Sequence, residues 1–166
     1  MKVVSFIRLI TITILVLIGL WGLWVFLSKP KLNSFQDMYP ESEISYRKNY
    51  KKLVEQDLIN GYSFLKNGAH YAVVFDNTFP YTKSTLTSQN TMQIILLLND
   101  SSAYEWGEFG TPEHTQTIVF YSSNSTPIGY TQIDPMGEVE NYPYRSLMKW
   151  GKLSKTSFNQ LKELIK

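Results

Sequence analysis

Cysteine is absent from the 166 residues of the chain, and its absence excludes several kinds of chemistry. The chain can form no disulfide, and it has no thiol nucleophile, no cysteine-ligated metal and no N-terminal cysteine for lipid modification. Histidine is scarce as well, with only His70 and His114. The sequence contains no glycine-rich phosphate loop, no dinucleotide-binding fingerprint and no G-x-S-x-G nucleophile elbow. The sequence therefore identifies no reaction.

Charged residues are absent from residues 9–28, which read LITITILVLIGLWGLWVFLS. A helix rises about 1.5 Å per residue, so this stretch would be about 30 Å long and match the hydrocarbon thickness of a bilayer. It has no polar face, which argues against a helix of a globular domain. We therefore predict a transmembrane helix. We expect four residues at its C-terminal membrane interface: Trp21, Trp24, Lys29 and Lys31.

Removal of this segment as a signal peptide is disfavoured, because the apolar run is long and the first alanine of the chain is Ala69. Lys2 and Arg8 precede the run, and a short basic tail favours a cytoplasmic N-terminus. The scarcity of alanine suits a low-GC bacterium, so we expect a bacterial inner membrane. The predicted organisation is a cytoplasmic tail at 1–8, an uncleaved signal anchor at 9–28, a linker at 29–40 and an extracytoplasmic domain at 41–166.

Two stretches of the domain have the pattern of amphipathic helices. Apolar residues between 46 and 58 recur at helical spacing, and Asn60-Gly61 suits the end of that helix. Near the C-terminus, Ser154 can cap a last helix whose apolar face includes Phe158 and Leu161. We therefore predict a helix at each end of the domain.

Between these helices the sequence favours strands. Asn67-Gly68 predicts a hairpin, and the continuous apolar run MQIILLLN at 92–99 predicts a central strand buried on both faces. Residues 123–127 suit a second hairpin loop, and residues 134–137 suit a turn. Short connections favour a meander. The expected fold is thus α+β, with an antiparallel sheet of about five strands flanked by an N-terminal and a C-terminal helix.

Lysine and arginine are absent from residues 84–144, although this span holds seven carboxylates. Basic residues then return from Arg145 to the end of the chain. One interpretation is internal, with the basic C-terminal segment packed near the acidic loops. The other is a recognition surface for a cationic partner, centred on the long connection 100–114. The candidate binding residues on that loop are Glu105, Trp106, Glu108, Phe109 and Glu113.

The two histidines allow an alternative. In the predicted meander His70 and His114 begin strands that run parallel, about 10 Å apart, so a loop glutamate could complete a two-histidine, one-carboxylate zinc site. A metal-assisted hydrolase would follow, although exposed surface histidines explain the same pattern. A glycosidase pair from Glu105 and Glu108 is disfavoured, because neighbouring loop glutamates are common.

These patterns favour a non-enzymatic, single-pass membrane protein whose outer domain binds another protein with a cationic surface. An accessory subunit of an envelope complex and an immunity-type protein both suit this description. The alternatives are the metal-assisted hydrolase and a small-ligand sensor module. A near-neutral formal net charge of +2 disfavours nucleic acid, and no cofactor is expected.

Overall fold

The computed structural model describes residues 2–31, 63–65, 67–105, 113–142 and 150–166. Within these ranges the chain forms three α-helices, a short 3-10 helix and one sheet of seven strands, in which all the strand pairs are antiparallel. The helices are α1 (Lys2–Ser28), α2 (Ser88–Asn99) and α3 (Lys155–Leu164), and the 3-10 turn is Ser101–Ala103. The strands are β1 (Tyr71–Asp76), β2 (Lys83–Leu86), β3 (Tyr104–Glu105), β4 (Gln116–Tyr121), β5 (Pro127–Ile133), β6 (Glu138–Tyr142) and β7 (Trp150–Leu153).

The strand order is β2-β1-β4-β5-β6-β7-β3. Strands β4 to β7 form a meander, of which the hairpin of β4 and β5 was predicted. Strand β1 pairs directly with β4, and the chain between them supplies both edge strands. The α+β class, the antiparallel sheet and the N-terminal apolar helix are confirmed, but the prediction of about five strands is wrong. Strands β2, β3, β6 and β7 were not predicted. The edge strands β2 and β3 have only four and two residues, too few for an alternating pattern to predict a strand.

The prediction of a central strand at 92–99 is also wrong, since these residues form most of α2. The Thr87 side chain accepts a hydrogen bond from the Asn90 amide and caps this helix. Buried positions follow helical spacing, at Thr91, Ile94, Ile95, Leu97 and Leu98. A continuous apolar run does not distinguish a buried helix from a strand, and the cap was the signal that could have decided.

Other local predictions have mixed outcomes. Gly68 has the positive φ expected of a tight turn, +71°, but Ser63, before that turn, is not in a strand, so the first hairpin is wrong. The hairpin loop at 123–127, the turn at 134–137 and the Ser154 cap are confirmed. Two long connections of the sequence also contain strands: residues 77–91 contain β2, and residues 100–114 contain β3. The helix expected between 46 and 58 lies outside the described residues.

The sheet has two differently covered faces. On one face the main core packs β-strand side chains such as Ala72, Ile118 and Ile133 against Ile94 and Leu98 of α2, with Leu161 of α3 beside them. We call this the helix face. The alternate residues of the same strands point the other way, where a second core contains Phe75, Val119, Tyr130 and Tyr142. This opposite face positions the candidate site.

Candidate functional site

The helix α1 carries apolar side chains on all sides, and they are exposed from Phe6 to Trp21. The segment Phe6–Ser28 is long and apolar enough to span a membrane. The hydroxyls of Thr11 and Thr13 donate to the carbonyls of Ile7 and Leu9, so both are satisfied within the helix. An exposed apolar surface with its polar groups paired is compatible with a membrane anchor.

The last two turns of α1 contact the sheet. Val25 is 1% exposed and belongs to the second core with Phe75, Val119 and the stacked rings of Tyr130 and Tyr142. We call this side of the sheet the anchor face. Helix α1 therefore ends in contact with the domain, although the sequence had predicted a linker beginning at residue 29.

Close approach of backbone to backbone secures this contact. A Cβ atom on Gly22 would lie 3.1 Å from the carbonyl oxygen of Pro80, whereas a Cβ atom on Gly19 would meet nothing within 4 Å. The ring of Phe26 lies 5.8 Å from the ring of Tyr81. The loop between β1 and β2 therefore packs alongside the helix at Gly22, because glycine has no side chain to separate the two backbones.

Two lysines add polar contacts at the same junction. The Lys29 ammonium donates to Asn77 Oδ1 at 2.6 Å and to Thr117 Oγ1 at 3.0 Å. Lys83 Nζ donates to Ser28 Oγ at 3.0 Å and lies 3.7 Å from the centre of the Trp24 ring, a cation–π contact. Burial lowers the pKa of Lys29. Together they join the end of the anchor to two strands of the sheet.

The four residues expected at the membrane interface do not share one environment. Trp21 and Trp24 are exposed, and their ring centroids lie 5.1 Å apart. Lys31 is exposed too. Lys29 instead faces the domain, because Asn77 and Thr117 offer it two acceptors.

A second polar group adjoins this junction. Nε2 of His114 lies 3.7 Å from a carboxylate oxygen of Glu140, and the Tyr142 hydroxyl donates to the other oxygen at 2.5 Å. Burial lowers the pKa of His114, against the opposing pull of Glu140 and Asp134 and with a smaller contribution from Lys29.

The structure does not bring His70 and His114 together. Strands β1 and β4 are antiparallel neighbours; the His70 amide bonds to Tyr121 at one end of the pair, while His114 precedes β4 at the other. Six residues of strand separate the two ends by about 20 Å. Among the described residues, no group of three His, Asp or Glu side chains could hold a metal ion. The arrangement thus lacks the geometry of the zinc hydrolase.

Three of the five candidate loop residues, Trp106, Glu108 and Phe109, lie outside the described residues. Glu105 and Glu113, which bracket them, are both exposed. The register places Glu105 opposite Lys152, which in turn lies opposite Glu138. In this part of the sheet, the register therefore supports the interpretation in which the basic C-terminal segment packs near the acidic residues.

Glu105 and Glu113, on either side of residues 106–112 of the acidic connection 100–114, both lie at the sheet end next to α1. Backbone hydrogen bonds connect the strand ends here: the N–H groups of Asp134, Thr115 and Asn77 donate to the carbonyls of Glu138, Ile133 and Thr115, respectively. The Asn77 side chain accepts from Lys29. Glu105 lies at this same end, four strands away from β4, or about 19 Å. Burial and the nearby Asp134 carboxylate raise the pKa of Glu138, and Lys152 only partly offsets them. Glu105, Glu113, Asp134 and Glu138 lie at this end of the sheet, with Lys152 and Lys29 beside them.

Sequence reasoning missed the residues that form the junction: Asn77, Lys83, Thr117, Glu140 and Tyr142. Each is an ordinary surface or strand residue by local pattern. The contacts of Asn77, Lys83 and Thr117 with the end of α1 span 48 to 88 residues of chain. Glu140 and Tyr142 contact each other, and Glu140 also approaches His114. No local signal predicts such pairs.

No protein family, no curated protein sequence and no solved structure matches this chain.

Proposed function

We propose that the chain is a non-enzymatic, single-pass membrane protein whose domain lies outside the cytoplasm and binds another protein. The observation that carries the proposal is the exposed apolar surface of α1, which ends in direct contact with the anchor face. A helix of this length would place the domain at the surface of a bilayer. The basic residues of the N-terminal tail support a cytoplasmic N-terminus.

The sheet end beside the anchor supports a partner with a cationic surface. Its described carboxylates include Asp134, Glu138, Glu105 and Glu113, with Lys152 among them. Carboxylates grouped in this way steer a basic partner and orient it. The aromatic residues of the loop, Trp106 and Phe109, are the residue types that supply most of the binding energy at interfaces.

The position of this acidic end narrows the kind of partner. Because it lies at the sheet end where α1 enters the domain, a partner that uses it would approach close to the membrane surface. An accessory role in an envelope complex fits that geometry, and so does neutralisation of a basic toxin at the membrane. Neither the hydrolase nor the small-ligand module has a comparable observation in its favour among the described residues.

The test is recovery of the partner from native membranes with the full-length chain as bait, compared with Trp106→Ala. Leu96→Ala, which removes an exposed apolar side chain from α2, is the matched control. We expect Trp106→Ala to lose the partner and keep the thermal unfolding midpoint, while the control keeps both. Charge reversal at Glu105 and Glu108 should slow association and weaken its salt dependence. Equal recovery by Trp106→Ala and the wild type would contradict the proposal.

A further inference from the structure

The loop between β1 and β2, residues 77–82, carries the most exposed aromatic side chain of the described domain. Phe79 is 69% exposed, and its ring packs only edge-on against Tyr81, with centroids 6.0 Å apart. Single exposed apolar residues are common on protein surfaces. This one is unusual because its loop lies directly against a helix that is itself suited to lipid.

The contact with α1 fixes the depth of the loop. Pro80 meets the helix at Gly22, six residues before the end of the apolar span at Ser28. Six residues correspond to about 9 Å along a helix. The loop therefore lies beside the level of Trp21 and Trp24, where indole rings mark the boundary between acyl chains and head groups.

From this geometry we infer that the Phe79-Pro80-Tyr81 loop enters the lipid leaflet on the domain's side of the membrane. The inference rests on the proposed membrane anchoring by α1. The loop is then a second, shallow membrane contact, with Phe79 among the upper acyl chains. Because the helix and the loop enter the bilayer side by side, together they restrict the tilt of the sheet relative to the bilayer.

The loop's own chemistry suits this location. Residues 77–82 carry no charge. Several backbone N–H groups are bonded inside the chain: Asn77 to Thr115, Thr78 to Asp76 and Tyr81 to Thr78. Pro80 has no N–H to satisfy. A backbone donor that is already bonded costs less free energy to remove from water than a free one, so these three bonds favour insertion of the loop.

Charged residues border the loop on both sides. Before it, Asp76 Oδ1 accepts hydrogen bonds from the Thr78 amide and hydroxyl. Lys83, at the start of β2, extends its ammonium to Ser28 and the Trp24 ring at the end of the span. A lysine placed this way keeps its charge near the head groups while its stem lies against apolar surface. The charged boundary of the loop therefore coincides with the end of the helix span.

Met136 provides the contrast within the same molecule. It is 71% exposed, on the turn between β5 and β6, but it lies between the carboxyl-bearing residues Asp134 and Glu138. Carboxylates do not enter the acyl region without a large desolvation cost. Phe79 has one such residue nearby, Asp76, and its loop packs on α1 at Gly22. The same exposed fraction thus predicts opposite environments for Phe79 and Met136.

The absence of cysteine makes the experiment direct, since each single cysteine is a unique labelling site. An environment-sensitive fluorophore is attached to Phe79→Cys in the full-length chain, in phosphatidylcholine–phosphatidylglycerol vesicles with or without acyl-chain nitroxide lipids. Leu15→Cys marks the middle of α1, and Met136→Cys and Asn124→Cys mark water-exposed turns. We expect blue-shifted emission and nitroxide quenching at Leu15 and Phe79, and neither at Met136 or Asn124.

Each departure from this result has a definite meaning. Quenching at Leu15 but not at Phe79 overturns the inserted loop and leaves the anchor standing. Equal quenching at Phe79 and Met136 also overturns it, because depth would then not be set by the contact with α1. Absence of quenching at Leu15 overturns the membrane anchor and, with it, the inference.

Discussion

Lys29 joins α1 to the sheet through two hydrogen bonds from one half-buried ammonium. Replacing it with methionine keeps the length of the side chain but removes both bonds, and leaves Asn77 Oδ1 and Thr117 Oγ1 with only the bonds between these two side chains. We expect Lys29→Met to lower the free energy of unfolding by about 1–3 kcal/mol in thermal denaturation of the full-length chain in nanodiscs. Lys155→Met, which changes an exposed lysine in the first turn of α3, should change it by less than about 0.5 kcal/mol.

His114 makes the stability of the junction depend on pH. Burial lowers its pKa in the folded state below the ordinary value of 6.5, so the unfolded chain binds the proton more readily. Stability should therefore fall as the pH is lowered from 6.5 to the folded-state pKa, because only the unfolded state gains the proton there. Glu140, Asp134 and Lys29 face the same ring and are included in this net direction.

The corresponding measurement is the unfolding midpoint between about pH 7.5 and about pH 5.5. His114→Gln should lose less stability across this interval than the wild type, since it has no proton to take up. His70→Gln, which removes an exposed histidine from the opposite end of the strands, should retain the wild-type pH dependence. A wild-type curve that rises toward low pH relative to His114→Gln would mean that Glu140 outweighs burial.

At the scale of the elements, α2 allows the sharpest mutational test of the fold. In a strand, Leu96 and Leu98 would share one face, but in α2 Leu98 is fully buried and Leu96 is 56% exposed. Leu98→Ala should cost about 2–5 kcal/mol of unfolding free energy, and Leu96→Ala less than about 1 kcal/mol. Equal losses for the two variants in urea denaturation would favour the strand.

The packing of α1 on the β1–β2 loop gives an element-scale prediction with its own internal control. A leucine at Gly22 must displace the Pro80 carbonyl, whereas a leucine at Gly19 meets open space. We expect Gly22→Leu to weaken docking by about 1–3 kcal/mol and to speed hydrogen exchange in the loop and in β4 about tenfold or more. Gly19→Leu should leave exchange unchanged; equal effects would show that helix and loop do not pack at Gly22.

The elements differ in how far sequence could predict them. Helix α3 has a serine cap and a clear apolar face, and β4 and β5 are joined by a strong turn signal, so these were predicted correctly. Strand β6 was not predicted, although the turn at 134–137 before it was. The run in α2 is apolar on nearly every position, and periodicity cannot decide its structure. Strand β3 has two residues, and its strand conformation depends on its antiparallel pairing with β7. Its formation depends on a partner about 50 residues away, which no local pattern reveals.

For the molecule as a whole, the sequence predicted an apolar N-terminal helix and a separate domain on a linker. It could not predict that the helix ends on the sheet, because that depends on contacts between Val25 or Lys29 and residues far along the chain. The metal-site hypothesis lacks the expected geometry for a related reason. With residues 92–99 in a helix, β1 and β4 become direct neighbours, and their antiparallel pairing separates His70 from His114.

The proposed arrangement sets the domain against one membrane surface, with the acidic sheet end close to the bilayer. The central claim is that α1 remains in the chain as a spanning anchor and that the domain lies outside the cytoplasm. Both parts are tested together by labelling single cysteines in intact bacterial cells with a membrane-impermeant maleimide. Asn124→Cys reports on the hairpin loop between β4 and β5, and Ser5→Cys reports on the N-terminal side of the anchor.

We predict that Asn124→Cys is labelled in intact cells, that Ser5→Cys is labelled only after permeabilisation, and that both full-length chains remain in carbonate-washed membranes. Labelling of Ser5→Cys from outside, with Asn124→Cys protected, would reverse the orientation. Recovery of the labelled Asn124→Cys domain in the soluble fraction, without residues 9–28, would show that the apolar helix is a removed signal peptide and would contradict the account.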